Sequence, residues 1–226
     1  MIERALIFAA GRGERMRPLT DATPRPLLEA GGKPLIEYHL EKLGEAGVRE
    51  VVVNTSHLAE RFPAALGDGA RWGVRIHYSC EGPVPLETGG GMRRALQWLG
   101  DAPFIAVSGD IWSDYDYARL AARGLPDRDA WAHLVMVPNP DFHPRGDFFL
   151  HDTHLNEDGA GERLTFANIG IYRAALLADQ PDRAFKLLPM YQRAMRADKL
   201  TGERFDGAWW NVGTPTQLAE LDAALS

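Results

Sequence analysis

Cysteine is nearly missing from this chain: Cys80 stands alone among 226 residues, which excludes an internal disulfide and fits a reducing compartment. Cys80 itself is expected to be a small apolar filler at a strand end rather than a nucleophile. No apolar run approaches the roughly 20 residues that a membrane span requires. The start MIERALIFAAGRGE also lacks the basic head and long hydrophobic stretch of a secretion signal. A cytoplasmic protein with no membrane partner is therefore expected. Charge of one sign never gathers in a block, and the formal net charge is -6, which argues against nucleic acid as a partner. An anionic ligand would have to meet a local basic site.

What is present is a series of short β-rich runs without polar alternation, RALIFAA at 4–10 and VVVN at 51–54 first among them. Such runs suit strands buried on both faces of a parallel sheet. Further strands are predicted at 74–79, 103–108, 133–137, 148–151 and 164–172. Helical patterns lie between them, with Leu35, Ile36, Leu40 and Leu43 on one face and Met92, Leu96 and Leu99 on another. Two more helices are predicted at 184–197 and 216–224. Strand and helix alternate, so the class is α/β, and a ligand is expected beyond the carboxyl ends of the strands. The chain reads as one domain over 1–226, without repeats or low-complexity segments.

Gly11 and Gly13 follow the first strand directly, where glycine lets the backbone turn tightly and aim N–H groups at a phosphate. An ordinary βα turn would carry the same pair. The dinucleotide pattern wants a third glycine where this chain has Met16, and a P-loop wants Gly-Lys-Ser/Thr; neither fits. The continuation is more specific, because Arg12, Arg15, Arg17 and Arg25 bring guanidinium forks to the same strand end. Pro18, Pro24 and Pro26 deny the stretch a continuous helix and are expected to hold it extended, its shape already set for a polyphosphate.

Three later stretches have the same character. PLETGGGM at 85–92 puts three glycines where a helix begins, and SGDIWSDYD at 108–116 sets Asp110 just past an apolar strand, as a magnesium ligand or a helix cap. WWNVGTP at 209–215 offers Asn211 before a helix that Thr214 could cap. His143, His151 and His154, with Asp141, Asp147 and Asp152, match no zinc spacing and read as polar loops.

AAGRGERMRP and TPRPLLEAGGKPLIEYHL, taken with these stretches, resemble the sugar-1-phosphate nucleotidyltransferases. That family carries A-A-G-x-G-x-R-(x)-x-P followed by P-K-P-L, L-G-T-x-G-A, N-G-D and W-x-D-V-G-T-P. The resemblance covers the chain from Leu6 to about Leu221 and implies a Rossmann-like three-layer α/β/α fold with a mixed, mostly parallel central sheet. It implies a nucleotide-binding half at 1–138 and a sugar-phosphate half at 139–226. It also implies a reaction in which a sugar 1-phosphate attacks a nucleoside triphosphate and expels pyrophosphate. Ala10, Gly11, Arg12, Gly13, Arg25, Glu81, Thr88 and Gly89 would then contact the nucleotide, with Arg15 on the leaving pyrophosphate and Arg25 on the reacting phosphates. Ser108, Gly146, Asp147 and Asn168 would border the sugar, and Asp110 and Asn211 would hold Mg2+.

Four positions depart from the pattern: Arg25 replaces a lysine, Glu87 a glycine, Ser108 an asparagine and Asn211 an aspartate. IEYHL, PLETGGGM, NPDFHPRGDF and AFKLLPMYQRAM are similar, more narrowly, to the branch of uridylyltransferases that act on N-acetylmuramic acid α-1-phosphate in peptidoglycan recycling. Glu87 belongs to that branch's version. UTP is the nucleotide the branch implies, in a monomer or homodimer. A guanylyltransferase for mannose 1-phosphate and a non-catalytic sugar-nucleotide sensor are the alternatives the motifs leave open.

Overall fold

The computed structural model describes every residue except Ala160. Its strands are β1 (Arg4–Phe8), β2 (Glu29–Ala30), β3 (Lys33–Pro34), β4 (Glu50–Thr55), β5 (Arg75–Cys80), β6 (Phe104–Ser108), β7 (Ile111–Ser113), β8 (Ala132–Val137), β9 (Phe148–His151), β10 (His154–Asn156), β11 (Glu162–Tyr172), β12 (Leu200–Arg204) and β13 (Trp209–Asn211). The α-helices are α1 (Leu35–Glu45), α2 (Arg61–Leu66), α3 (Glu87–Leu99), α4 (Tyr117–Arg123), α5 (Leu188–Arg196) and α6 (Pro215–Leu225).

Nine of the strands form one sheet in the order β5-β4-β1-β6-β11-β8-β12-β10-β9. From β5 to β12 the strands run parallel except β11, which is antiparallel to both neighbours. The first three residues of β11 also pair with β9, so the far edge of the sheet curls back on itself.

Side-chain alternation explains why the strand sequences look uniformly apolar. Ala5 and Ile7 of β1 pack into one buried layer with α1 and α4, while Leu6 between them packs into the opposite layer with α3 and α5. Both faces are covered, so a polar residue at either parity would lose its solvent without gaining a partner. A smaller third cluster, Met16, Leu28, Ala30, Leu35, Val212 and Leu221, ties the opening loop to α6.

Several expectations are corrected. The segment after the glycines is not extended: it folds into three one-turn 3₁₀ helices at Glu14–Met16, Leu19–Asp21 and Arg25–Leu27, because proline blocks a long helix without forbidding short turns. Helix α5 begins at Leu188 rather than Ala184, since Phe185 is held in another conformation by bonds to the start of α3. Cys80 is exposed rather than buried. Strand β12 escaped the sequence reading because LTGER is scarcely apolar, although Leu200, Thr201 and Gly202 are buried between β8 and β10.

Candidate active site

Because β1, β4, β5 and β6 are parallel, their carboxyl ends, and the loops carrying Gly11, Glu81 and Asp110, emerge on one edge. A cavity of about 310 Å³ lies there, lined by Phe8, Ala10, Gly11, Arg25, Asn54, Glu81, Pro85, Glu87, Thr88, Ser108 and Asp110. A second lobe of about 300 Å³ shares Phe8, Glu87, Thr88 and Ser108 with it and is completed chiefly by Phe166, Asn168, Tyr172, Lys186 and Tyr191. A wider groove of about 790 Å³ runs over the outer face of α3 past Arg94 and Trp98. It takes in neither the glycine loop nor Asp110.

The first lobe is built on charge. The Arg25 guanidinium pairs with the Asp110 carboxylate, their side chains only 18% and 16% exposed. The same guanidinium packs beside Gly11, where an added Cβ would sit 3.6 Å from its terminal nitrogen. Arg25 Nε is buried without a partner among the described residues, so this fork holds donor capacity in reserve. Gly13 is left-handed at φ 63. Its carbonyl accepts from Thr20 Oγ1 at 2.9 Å, and Arg12 donates across the mouth to the Pro83 carbonyl at 3.0 Å. Arg15 is exposed and lies against Gly213, at the end of the 209–213 stretch.

The wall opposite is fixed by two buried polar side chains. Asn54 accepts from Ala9 N at 2.7 Å and donates to Glu81 Oε1 at 2.7 Å, while Glu81 Oε2 accepts from Leu86 N at 2.6 Å. Burial pushes the Glu81 carboxyl up from its ordinary range, against the pull of those two hydrogen bonds. Glu81 therefore shapes the loop that leads into α3 as well as lining the cavity. Asn54 was missed from sequence; a polar residue ending the apolar run VVVN was the available signal.

Behind Asp110, His39 bridges Tyr117 Oη and the Ile111 carbonyl, each at 2.9 Å. Burial lowers its pKa to about 4, so the ring is neutral at pH 7. A carbonyl only accepts, so Nε2 carries the proton and Nδ1 accepts from Tyr117. Asn211 stands in β13 opposite Ile111, and Val212 N donates to the Asp110 carbonyl at 3.0 Å.

The three glycines of α3 serve packing. A Cβ on Gly89 would fall 2.3 Å from the Phe185 ring, and one on Gly90 2.4 Å from the Arg183 carbonyl. On Gly91 it would fall 2.4 Å from Glu81 Oε1. Gly89 is thus placed against the 183–185 segment and does not line the first lobe. Gly146 and Asp147 also line neither lobe. Asp147 is occupied by Phe166 N at 2.8 Å and His143 at 3.1 Å. Glu87 and Asn168 do reach the second lobe, and both have left-handed backbones, at φ 60 and φ 59. Glu87 therefore keeps the conformation that favours glycine, the residue it replaces in the pattern.

A cleft that sets a glycine loop and an arginine fork beside a carboxylate at parallel strand ends suits phosphoryl chemistry. The profile of the nucleotidyl transferase family matches residues 4–144, and the chain belongs to that family. An N-acetylmuramate alpha-1-phosphate uridylyltransferase of Neisseria meningitidis is 44% identical over 225 residues, covering 97% of each chain. A protein of the same name from Caulobacter vibrioides is 36% identical over 98% of this chain and 96% of its own. Among solved structures, HddC from Yersinia pseudotuberculosis superposes along the full length of both chains with a TM-score of 0.79 at 22% identity, a likeness of fold. The mixed sheet covered on both faces is the Rossmann-like arrangement expected for this family.

Proposed function

We propose that the protein transfers a uridylyl group from UTP to N-acetylmuramic acid α-1-phosphate, releasing pyrophosphate. One observation carries the mechanism: two lobes meet along Phe8, Glu87, Thr88 and Ser108, with Arg25 and Asp110 at the same strand ends. The first lobe is drawn wholly from residues 1–138 and takes the nucleotide. The second lobe draws most of its remaining residues from 139–226 and takes the sugar.

The sugar phosphate is its own nucleophile. A phosphate monoester with a second pKa near 6 is largely dianionic at neutral pH, so transfer needs no general base. An oxygen of that dianion bonds to the α-phosphorus while the bond to the β-phosphoryl oxygen breaks. The task left to the protein is to hold two anions in line. Arg25 meets the reacting phosphates, the amides of the Gly11 loop cradle the triphosphate, and Arg15 attends the departing pyrophosphate. The Val212–Asp110 backbone bond brings the chain segments that carry Asp110 and Asn211 together, and a carboxylate with an amide oxygen is a donor set that suits a hard cation. These two would hold Mg2+, which supplies charge neutralisation when bound.

The test is pyrophosphate release across UTP, GTP, CTP and dTTP with N-acetylmuramic acid, N-acetylglucosamine and mannose 1-phosphates. The expected optimum is UTP with N-acetylmuramic acid α-1-phosphate. A GTP preference with mannose 1-phosphate would overturn the assignment, and nucleotide binding without turnover on any sugar would make the protein a sensor.

A further inference from the structure

We propose that Lys186 determines sugar specificity by holding the lactyl carboxylate that distinguishes N-acetylmuramic acid from other N-acetylhexosamines. This rests on the sugar assignment above. Lys186 is the single cation among the residues that line the second lobe, whose other walls are apolar or aromatic apart from Glu87, Thr88, Ser108 and Asn168. Lys33 and Lys199 are paired with carboxylates, whereas Lys186 pairs with none among the described residues.

Its backbone is clamped on both sides. Phe185 N donates to the Leu86 carbonyl at 3.2 Å, and the Phe185 carbonyl accepts from Gly89 N at 2.8 Å and Gly90 N at 3.2 Å. Leu187 N donates to Thr88 Oγ1 at 3.2 Å. The close approach that forbids a side chain at Gly89 and Gly90 is the same contact that fixes the lysine's stem beside the lobe.

Position selects which anion it meets. The reacting phosphate must lie at the wall shared with the first lobe, near Ser108 and within reach of Arg25, and Lys186 lines only the second lobe. A second anionic group carried by the sugar, apart from the phosphate, is what an ammonium in this lobe would meet. Leu188 beside it is 50% exposed and offers apolar surface to a lactyl methyl group.

The experiment compares N-acetylmuramic acid α-1-phosphate with its lactyl amide, which keeps the shape and the phosphate but loses the charge, at saturating UTP. In the unaltered protein the amide should raise KM about 10- to 100-fold with little change in kcat, as expected for a lost charge-assisted hydrogen bond. Lys186→Met should raise KM for the acid by a similar factor and shrink the acid-to-amide ratio to less than about threefold. Lys186→Arg should restore most of the discrimination, and thermal melting of both variants checks that they fold. Equal loss on acid and amide would put the lysine on the phosphate, and no change on either would leave it as a solvated side chain; both results overturn the proposal. Failure of the unaltered protein to use the acid at all would instead overturn the sugar assignment.

Discussion

The two lobes share one wall and are built differently behind it. The first is held by ionised and polar side chains: the Arg25–Asp110 pair, the Asn54–Glu81 pair and, a layer deeper, His39 on the Ile111 carbonyl. The second is held by rings, with Tyr191 packed edge-on against Phe166 and its hydroxyl 2.9 Å from that of Tyr172. The contrast suits the ligands proposed for each lobe. A lobe that must neutralise charge needs fixed charge, which in turn needs buried partners, whereas a sugar face can be met by shape and apolar surface.

The most severe way to break this contrast is Arg25→Ala. It should lower kcat by about a thousandfold, in the range of removing a fixed donor to developing charge, as read by pyrophosphate release. Arg25→Lys should retain turnover within about tenfold, since a point charge also serves phosphate. A loss of several orders of magnitude in that variant would move Arg25 out of the reacting site.

Next is Gly91→Ala, whose methyl would strike both Glu81 and Asn54. Overpacking and a broken buried hydrogen bond together should cost about 4 kcal/mol in urea unfolding. A change below about 1 kcal/mol would show that the wall is not rigid.

Acid offers a finer probe. The folded pKa of His39 is lowered by burial to about 4 from the ordinary histidine value of 6.5, so between those values the unfolded chain binds a proton that the folded chain refuses. Stability that His39 confers above pH 6.5 is therefore lost as pH falls toward 4, by about 3 kcal/mol from this group. His39→Gln should flatten that part of the unfolding profile. The second lobe's tyrosine pair has pKa values raised by burial and stays neutral throughout the window, so acid should loosen the support of the first lobe only.

The smallest effect expected is that of Tyr191→Phe. Loss of its hydroxyl should cost about 1 kcal/mol of stability, with kcat for the natural pair nearly unchanged. A large fall in kcat would show that the ring layer helps the transfer step.

The first lobe was largely legible because its residues follow strand ends in short, spaced motifs: Ala10, Gly11, Arg25, Glu81, Thr88, Ser108 and Asp110 were all singled out and all line it, whereas Arg12, Gly13 and Gly89, expected on the nucleotide, do not. Asn54 was not, since one asparagine at the end of VVVN looks like any strand terminus until Ala9 and Glu81 are seen beside it. The second lobe was scarcely legible. Ser108 and Asn168 were named for the sugar and line it, but Phe166, Tyr172 and Tyr191, which also belong to the core, were not singled out. Gly146 and Asp147 were assigned to the sugar and instead secure the loop that leads to β9.

Apolar runs of period one, the glycine and proline spacing and the charged loops are local properties, and they were enough to establish an α/β chain and to single out one edge of its sheet for a ligand. Which residues face one another across 60 to 100 positions is another matter. It depends on β11 reversing into the parallel sheet and on Phe185 docking onto α3. Such pairings follow from burial and register summed over the whole chain, and no stretch of sequence carries them alone.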